Sequence, residues 1–261
     1  LGVKGAAIAT TISVTVTSLL LLFTLMTKDS PIKMHRGEKA HYERAIYKSA
    51  LRLGIPVALE RSTLSLGQIV FTKMVGTLGT TALAAHFLAN TAESITYLPP
   101  SGFSTAATTL VAQSLGSGDK DLAKRFADTC TILGTALMSL MGVVLYVFAP
   151  TLMRFFTQDA QVIALGTTIL RIEAFAEPAF GLSMLAFGVF RGAGDTRRPF
   201  AISIAGMWLL RLPLAYLLLQ TTSLGLLGIW IAMASDLSLR GLISFVLYRR
   251  YTWLDSWKET H

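Results

Sequence analysis

Charge is what this sequence has least of. Only 15% of its 261 residues are Asp, Glu, Lys or Arg, where soluble domains carry about 25%, while 52% are hydrophobic. That balance excludes a disordered chain, which needs little apolar surface and much charge, and it calls for an apolar solvent. Cysteine is almost absent. Cys130 alone cannot pair within the chain, so a disulfide scaffold is excluded, and it reads as a small core residue. Catalytic signatures are missing as well. No HExxH, GxSxG or GxxxxGK[ST] string occurs, so zinc-protease, serine-hydrolase and P-loop chemistry lack their parts. No enzyme activity, metal or cofactor is expected, and the class that remains is a polytopic membrane protein.

What the chain does have is long apolar runs. A span needs roughly 20 mainly apolar residues to cross about 30 Å of hydrocarbon at helical rise. Segments 5–27, 50–76, 83–115, 123–149, 160–190, 199–221 and 224–248 qualify. The third carries Pro99-Pro100, where a break or kink is expected because proline removes a donor and crowds the preceding turn. Segment 28–48 is the one long polar stretch. The expected fold is therefore all-α: one isolated transmembrane helix, 1–27, then a linker, 28–48, then a six-helix transmembrane bundle, 49–250, and a short tail, 251–261. The chain begins Leu1-Gly2-Val3-Lys4 inside an apolar segment, so a fragment of a longer protein is expected.

Net charge is +8, which in a soluble protein would raise the question of nucleic acid. Its placement gives another answer. Basic residues crowd the first connection, from Lys28 to Arg52, and recur at Lys120, Lys124 and Arg125, at Arg191, Arg197 and Arg198, and at Arg249, Arg250 and Lys258; the alternate side has only Lys4 and Arg154. By the positive-inside rule the C-terminus is cytoplasmic, the protein is a multi-pass protein of the cell membrane, and no nucleic-acid partner is needed.

Two strings repeat. Leu115-Gly116-Ser117-Gly118-Asp119 ends the third span and Arg191-Gly192-Ala193-Gly194-Asp195 ends the fifth. Each sets glycines where a helix stops in a left-handed conformation, then an aspartate where the next needs an N-cap. Both corners are expected on the same membrane face. That position also separates them from the GxGD motif of intramembrane aspartyl proteases, whose aspartate lies within a span.

Ionisable side chains inside spans cost roughly 2.5 to 3.5 kcal/mol on insertion scales and so mark functional candidates. Glu60, four residues after Pro56, is expected near the bilayer middle, with Gly67 and Gln68 on its face, lining a cavity. The alternative is a buried pair with Arg211 or with Arg61 of another copy. Glu93 is expected at mid-depth, with His86 two turns earlier as a relay partner. Glu173 and Glu177 stack on one face before Pro178. Glu173 reads as solvated or paired with Arg171, and Glu177 as a contributor to an ion or substrate site. Arg61, Lys73, Arg171, Arg211 and Arg240 complete the intramembrane charges.

The ordered strings Gly54-Ile55-Pro56-Val57-Ala58-Leu59-Glu60, Ala82-Leu83-Ala84-Ala85-His86, Ser104 through Gly116, Arg191-Gly192-Ala193-Gly194-Asp195-Thr196-Arg197 and Pro213-Leu214-Ala215-Tyr216 resemble the MATE (multidrug and toxic compound extrusion) family over nearly the whole chain. Gly5-Ala6-Ala7-Ile8-Ala9-Thr10 looks like the family's sixth helix. The resemblance implies two six-helix lobes, of which this chain holds the sixth helix, the interlobe linker and the C-terminal lobe, the N-terminal lobe being missing. It implies a cation-coupled antiporter, exchanging protons or sodium for small-molecule organic cations across the lipid bilayer, with Glu60, Gln68, Glu93 and Glu177 as the candidate substrate or coupling residues. Some sodium-coupled members place acids where this chain has Leu64 and Phe180, so their C-lobe cation site does not carry over. Two alternatives stand beside this one: a flippase for lipid-linked saccharides, whose cavity would be lined by arginines, and a non-transporting half-size membrane subunit.

Overall fold

The computed structural model describes residues 2–27 and 43–260, and every regular element among them is helical. The chain divides between Tyr47 and Lys48 into two compact units. The first contains α1 (Gly2–Thr27), an apolar helix none of whose Ala7–Thr24 stretch is buried. The second contains α2 (Arg44–Gly76, begun just before the division), α3 (Thr80–Gly116), α4 (Lys120–Phe156), α5 (Ala160–Gly192), α6 (Arg197–Ile204), a π-helical segment (Ala205–Arg211), α7 (Leu212–Thr221), α8 (Leu226–Arg249) and the short α9 (Trp253–Thr260). Since α6, the π segment and α7 run on as one apolar helix, Arg197–Thr221, the protein is an all-α membrane protein with one helix in its first unit and a bundle of six long helices in its second. The expected linker lies outside the described residues except at its end, where α2 has already begun.

Five helices are long and apolar enough to cross a membrane by length and composition: α1, α4, α5, the α6–α7 run and α8. Seven were expected. The two that fall short, α2 and α3, have the length, 33 and 37 residues, but α2 carries Glu60, Arg61 and Lys73, and α3 is rich in Thr and Ser. The prolines do not break α3, which is continuous through Pro99 and Pro100. Neighbouring helices and hydroxyl groups can re-satisfy carbonyls that a proline frees in a membrane helix. The interruption falls instead at Ala205–Arg211, just ahead of Pro213, where one wider turn accommodates a residue that has no N–H and crowds the turn before it.

The two glycine corners have the same geometry. At the first, the Asp119 N–H donates to the Ser114 carbonyl (3.0 Å) and the Gly118 N–H to that of Leu115 (3.1 Å); at the second, Asp195 donates to Phe190 (2.8 Å) and Gly194 to Arg191 (3.0 Å). Gly118 and Gly194 hold φ of 82° and 80°, a left-handed conformation that closes the preceding helix. Asp119 then caps α4 by accepting from the Leu122 N–H (2.8 Å), and Asp195 accepts from that of Arg198 (3.2 Å). Both corners meet α9: Lys120 pairs with Asp255 (2.8 Å), and Asp255 lines a cavity together with Gly194 and Asp195. They therefore lie at one end of the bundle, as the repeat implies.

Small residues bring α3 and α5 together. The Ser104 hydroxyl donates to the Met184 carbonyl (2.8 Å) and the Thr108 hydroxyl to that of Gly188 (2.9 Å). A Cβ on Gly188 would stand 2.5 Å from the Ser104 carbonyl oxygen, and one on Gly192 2.6 Å from that of Thr108. Close backbone approach through small residues is how membrane helices associate without a hydrophobic driving force. Gly188→Val is expected to destabilise the lobe by roughly 1–3 kcal/mol through overpacking, read as a lower melting temperature of the purified protein. Gly102→Ala, at a helical position with nothing within 4 Å of the added carbon, is expected to be neutral or stabilising. Equal melting of the Gly188 variant and the parent would contradict the packing assigned here.

Candidate functional site

Three groups of ionisable side chains occupy the interior of the bundle. The first is centred on Glu60, which is only 3% exposed. Its two carboxylate oxygens accept from Arg191 Nη2 at 3.0 and 2.9 Å, and Oε1 also accepts from the Ser203 hydroxyl at 3.0 Å. Glu60 thus faces the interior, as expected, but its partner differs from expectation. Arg52 lines the same cavity as Gly194 and Asp195, so Glu60, eight residues further along α2, stands about 12 Å above that end at helical rise. The partner is neither Arg211 nor Arg61; Arg191 at the corner folds its long side chain back into the lobe. Gln68, two turns beyond Glu60, is half-buried.

The second group is a buried trio. Arg211 Nε donates to Asp236 Oδ2 (2.8 Å), Arg240 Nε donates to Oδ1 (3.2 Å), and Arg240 Nη2 also donates to Oδ2. Asp236 is fully buried and both arginines nearly so. The π segment makes room for them: a Cβ on Gly206 would collide with Asp236 Oδ1 and lie 2.9 Å from Arg240 Nε. The widened turn, its glycine and the arginine that ends it all serve the same ionic cluster.

The third group is acidic. Glu93, Glu173 and Glu177 are all buried. The Thr96 hydroxyl donates to Glu177 Oε1 (2.9 Å), while Glu177 Oε2 and Glu173 Oε2 are enclosed without a hydrogen-bond partner among the described residues. Glu93 and Glu173 lie within electrostatic range of each other, of Glu177 and of Arg211. Glu173 is therefore neither solvated nor paired with Arg171; Arg171 is exposed, reaches the Tyr146 carbonyl (3.4 Å) and lies 5.3 Å from the Tyr146 ring centre. His86 does not form the expected relay with Glu93. The Asn90 amide lies 3.2 Å from its ring nitrogens, and Phe71, Phe87 and Trp230 surround it.

The groups follow one another along the lobe. Counting from Arg191, Glu177 is about 21 Å and Glu173 about 27 Å further along α5, and Arg240 lies within electrostatic range of both Asp236 and Glu60. Five carboxylates, those of Glu60, Glu93, Glu173, Glu177 and Asp236, face three arginines, Arg191, Arg211 and Arg240. A buried carboxylate without a counter-charge must hold a proton or find a cation. The interior can therefore take up and release positive charge at the end where Glu93, Glu173 and Glu177 converge. Among the described residues no cluster has the geometry of a metal site.

Sequence reasoning passed over Asp236 and Ser203 and left Arg191 at the surface. Asp236 had a readable signal, an acid four residues before Arg240 on one helical face within an apolar run. Ser203 had none, since a serine in a membrane span is unremarkable until a carboxylate is found opposite it.

A family model described as MatE matches residues 56–217. The chain belongs to the MatE family. This is the family that the ordered strings resemble, and the match takes in α2 from Pro56 to most of α7, hence Glu60, the three acids of α3 and α5, and Arg211. Over 253 residues the chain is 29% identical to a "Probable multidrug resistance protein NorM" of Thermotoga maritima, covering 97% of this chain and 54% of that protein. The fold is similar to that of a MATE solved in complex with MaL6, at a TM-score of 0.86 and 21% identity over 99% of this chain and 58% of that one. It is also similar to an outward-facing multidrug resistance MATE family transporter of the MOP superfamily, at a TM-score of 0.85 and 22% identity over 99% and 58%. The chain spans about half the length of the curated relatives it matches.

Proposed function

We propose that this MatE chain is the sixth helix, interlobe linker and C-terminal lobe of a multidrug efflux antiporter, which exports organic cations by alternating access in exchange for protons or sodium. Residues 1–27 are the last helix of the N-terminal lobe in this reading, 28–48 the cytoplasmic linker, 49–250 the C-terminal lobe and 251–261 the cytoplasmic tail. The observation that carries it is the excess of buried carboxylate over arginine, with the free oxygens of Glu173 and Glu177 at its centre. Such a site has a use for the positive charge that a coupling ion or a cationic drug brings. Glu93, Glu173 and Glu177 are the proposed coupling acids. Glu60, paired with Arg191 and hydrogen-bonded by Ser203, closes the track at the cytoplasmic end, and Gln68 lends polar lining. The names of the relatives, multidrug resistance proteins, support the substrate class.

The saccharide-flippase alternative needs arginines free to bind phosphate. Arg211 and Arg240 are committed to Asp236, while Arg61 and Arg171 are exposed. The deciding experiment is transport of ethidium by the complete protein in vesicles under an imposed proton gradient or an imposed sodium gradient. Export driven by either gradient is the expected result. Export unaffected by both would refute cation coupling.

A further inference from the structure

Between α4 and α5 a groove of 530 Å³ is lined by Gly142, Val143 and Tyr146 from one helix and by Ala174, Phe175 and Pro178 from the other. We propose that this groove holds an acyl chain of an anionic phospholipid whose phosphate is bound by Arg171 beside it. The proposal rests on the membrane placement of the bundle and not on the coupling chemistry of the interior acids.

Small residues form the floor of the groove. A Cβ on Gly142 would stand 2.9 Å from the Ala174 carbonyl oxygen, so the two backbones approach closely there and leave room above them. Large residues form the walls. Val143 and Phe175 are exposed, and the rings of Tyr146 and Phe175 meet edge to face with their centres 5.5 Å apart. No charged side chain lines the groove. An apolar trough of this kind fits hydrocarbon and offers nothing to a polar ligand.

The charge stands at one end. The Arg171 guanidinium lies 5.3 Å from the Tyr146 ring centre and its Nε reaches the Tyr146 carbonyl at 3.4 Å. No carboxylate pairs with it among the described residues, and its two terminal nitrogens donate to none of them. An exposed, unpaired arginine on a membrane helix is costly unless it reaches headgroups. Arg171 precedes Arg191 on α5 by about 30 Å at helical rise, which is about the thickness of the hydrocarbon core. With the glycine corner at one membrane face, the guanidinium therefore stands at the headgroup level of the opposite leaflet, where tyrosines also concentrate. From Arg171 to Pro178 the helix runs about 10 Å back toward the corner, so the groove descends from headgroup level into the hydrocarbon, as an acyl chain does.

A phosphate is the anion within reach at that level, and a guanidinium meets two of its oxygens with parallel N–H donors. The lipid is anionic because no carboxylate lines the groove to receive the ammonium of a zwitterionic headgroup. The same added carbon on Gly142 would stand 3.0 Å from Glu177 Cβ, so a chain in the groove covers the seam behind one of the buried acids.

The complete protein in micelles is titrated with palmitoyl-oleoyl phosphatidylglycerol, with the phosphatidylethanolamine and the diacylglycerol of the same chains, and with inorganic phosphate, and its melting temperature is followed, because a ligand that binds only the folded state raises it. Phosphatidylglycerol is expected to give a saturable rise larger than that of the other three. Arg171→Gln is expected to weaken its apparent affinity about tenfold. Val143→Trp, which fills the groove from an exposed position, should weaken it to a similar degree. Leu140→Trp, equally exposed on α4 but outside the groove, should titrate as the parent does. Parental titration of either Arg171→Gln or Val143→Trp, an equal loss in Leu140→Trp, or a response to phosphatidylethanolamine, diacylglycerol or inorganic phosphate equal to that of phosphatidylglycerol would overturn the proposal.

Discussion

Glu173→Gln/Glu177→Gln in the complete protein is expected to slow gradient-driven export of an organic cation by about two orders of magnitude, the size of a coupling free energy near 3 kcal/mol. The amide keeps the shape of the side chain and loses its ability to exchange a proton or to balance a cation. At position 177 it also keeps an oxygen for the Thr96 hydroxyl, which now donates to Glu177 Oε1 at 2.9 Å. The fold should therefore survive. Because Glu173 and Glu177 each enclose an oxygen without a hydrogen-bond partner, replacing them removes uncompensated buried charge, and the variant should melt no lower than the parent. Export at the parental rate under both proton and sodium gradients would remove these acids from the coupling step.

Arg191→Ala is the substitution expected to cost most in stability. It leaves the Glu60 carboxylate buried with the Ser203 hydroxyl as its remaining donor, and breaking a buried pair from one side costs roughly 3–5 kcal/mol because the surviving charge is stranded. The Arg191 side chain is 27% exposed against 4% for that of Glu60, which places the cost toward the lower figure and makes the effect asymmetric. Glu60→Gln leaves an arginine that can turn toward water, and should be the milder change. Adding Glu60→Gln to Arg191→Ala should recover part of the loss, as expected for neighbours that share an interaction. Unfolding of the purified variants in lipid micelles reads this directly; a double variant as unstable as the sum of the singles would show that the pair does not hold the lobe.

Length and apolarity made the helices legible in the sequence. The boundaries of α4 and α5 follow from the glycine corners and from aspartates at positions 119 and 159 that cap the next helix, a local signal that needs no tertiary knowledge. Glu60, Glu93, Glu173 and Glu177 were legible, because a carboxylate in a span is conspicuous whatever surrounds it, whereas Asp236, masked by the Arg240 one turn on, was passed over. Their pairing was not. Arg191 belongs to a basic corner by sequence, and only the fold shows its side chain turning inward to Glu60. Glu173 reads as solvated or paired with Arg171 in the sequence; its burial depends on α3 and α8 packing over α5, which no periodicity of α5 alone reports. The π segment was hidden for a similar reason. Gly206 and Pro213 are ordinary in a membrane span, and their meaning depends on Asp236 arriving from the facing helix.

In the proposed function the lobe interior carries carboxylates that exchange one cation for another. It is tested most directly by counting what leaves the complete protein when an organic cation binds. Tetraphenylphosphonium is added to the detergent-solubilised protein in weakly buffered solution, with released protons followed by an indicator dye and released sodium by an ion-selective electrode. Release of protons or of sodium is expected on binding, with loss of that release in Glu93→Gln/Glu173→Gln/Glu177→Gln. Binding of tetraphenylphosphonium with neither ion released, or with the same release from the triple variant, would contradict it.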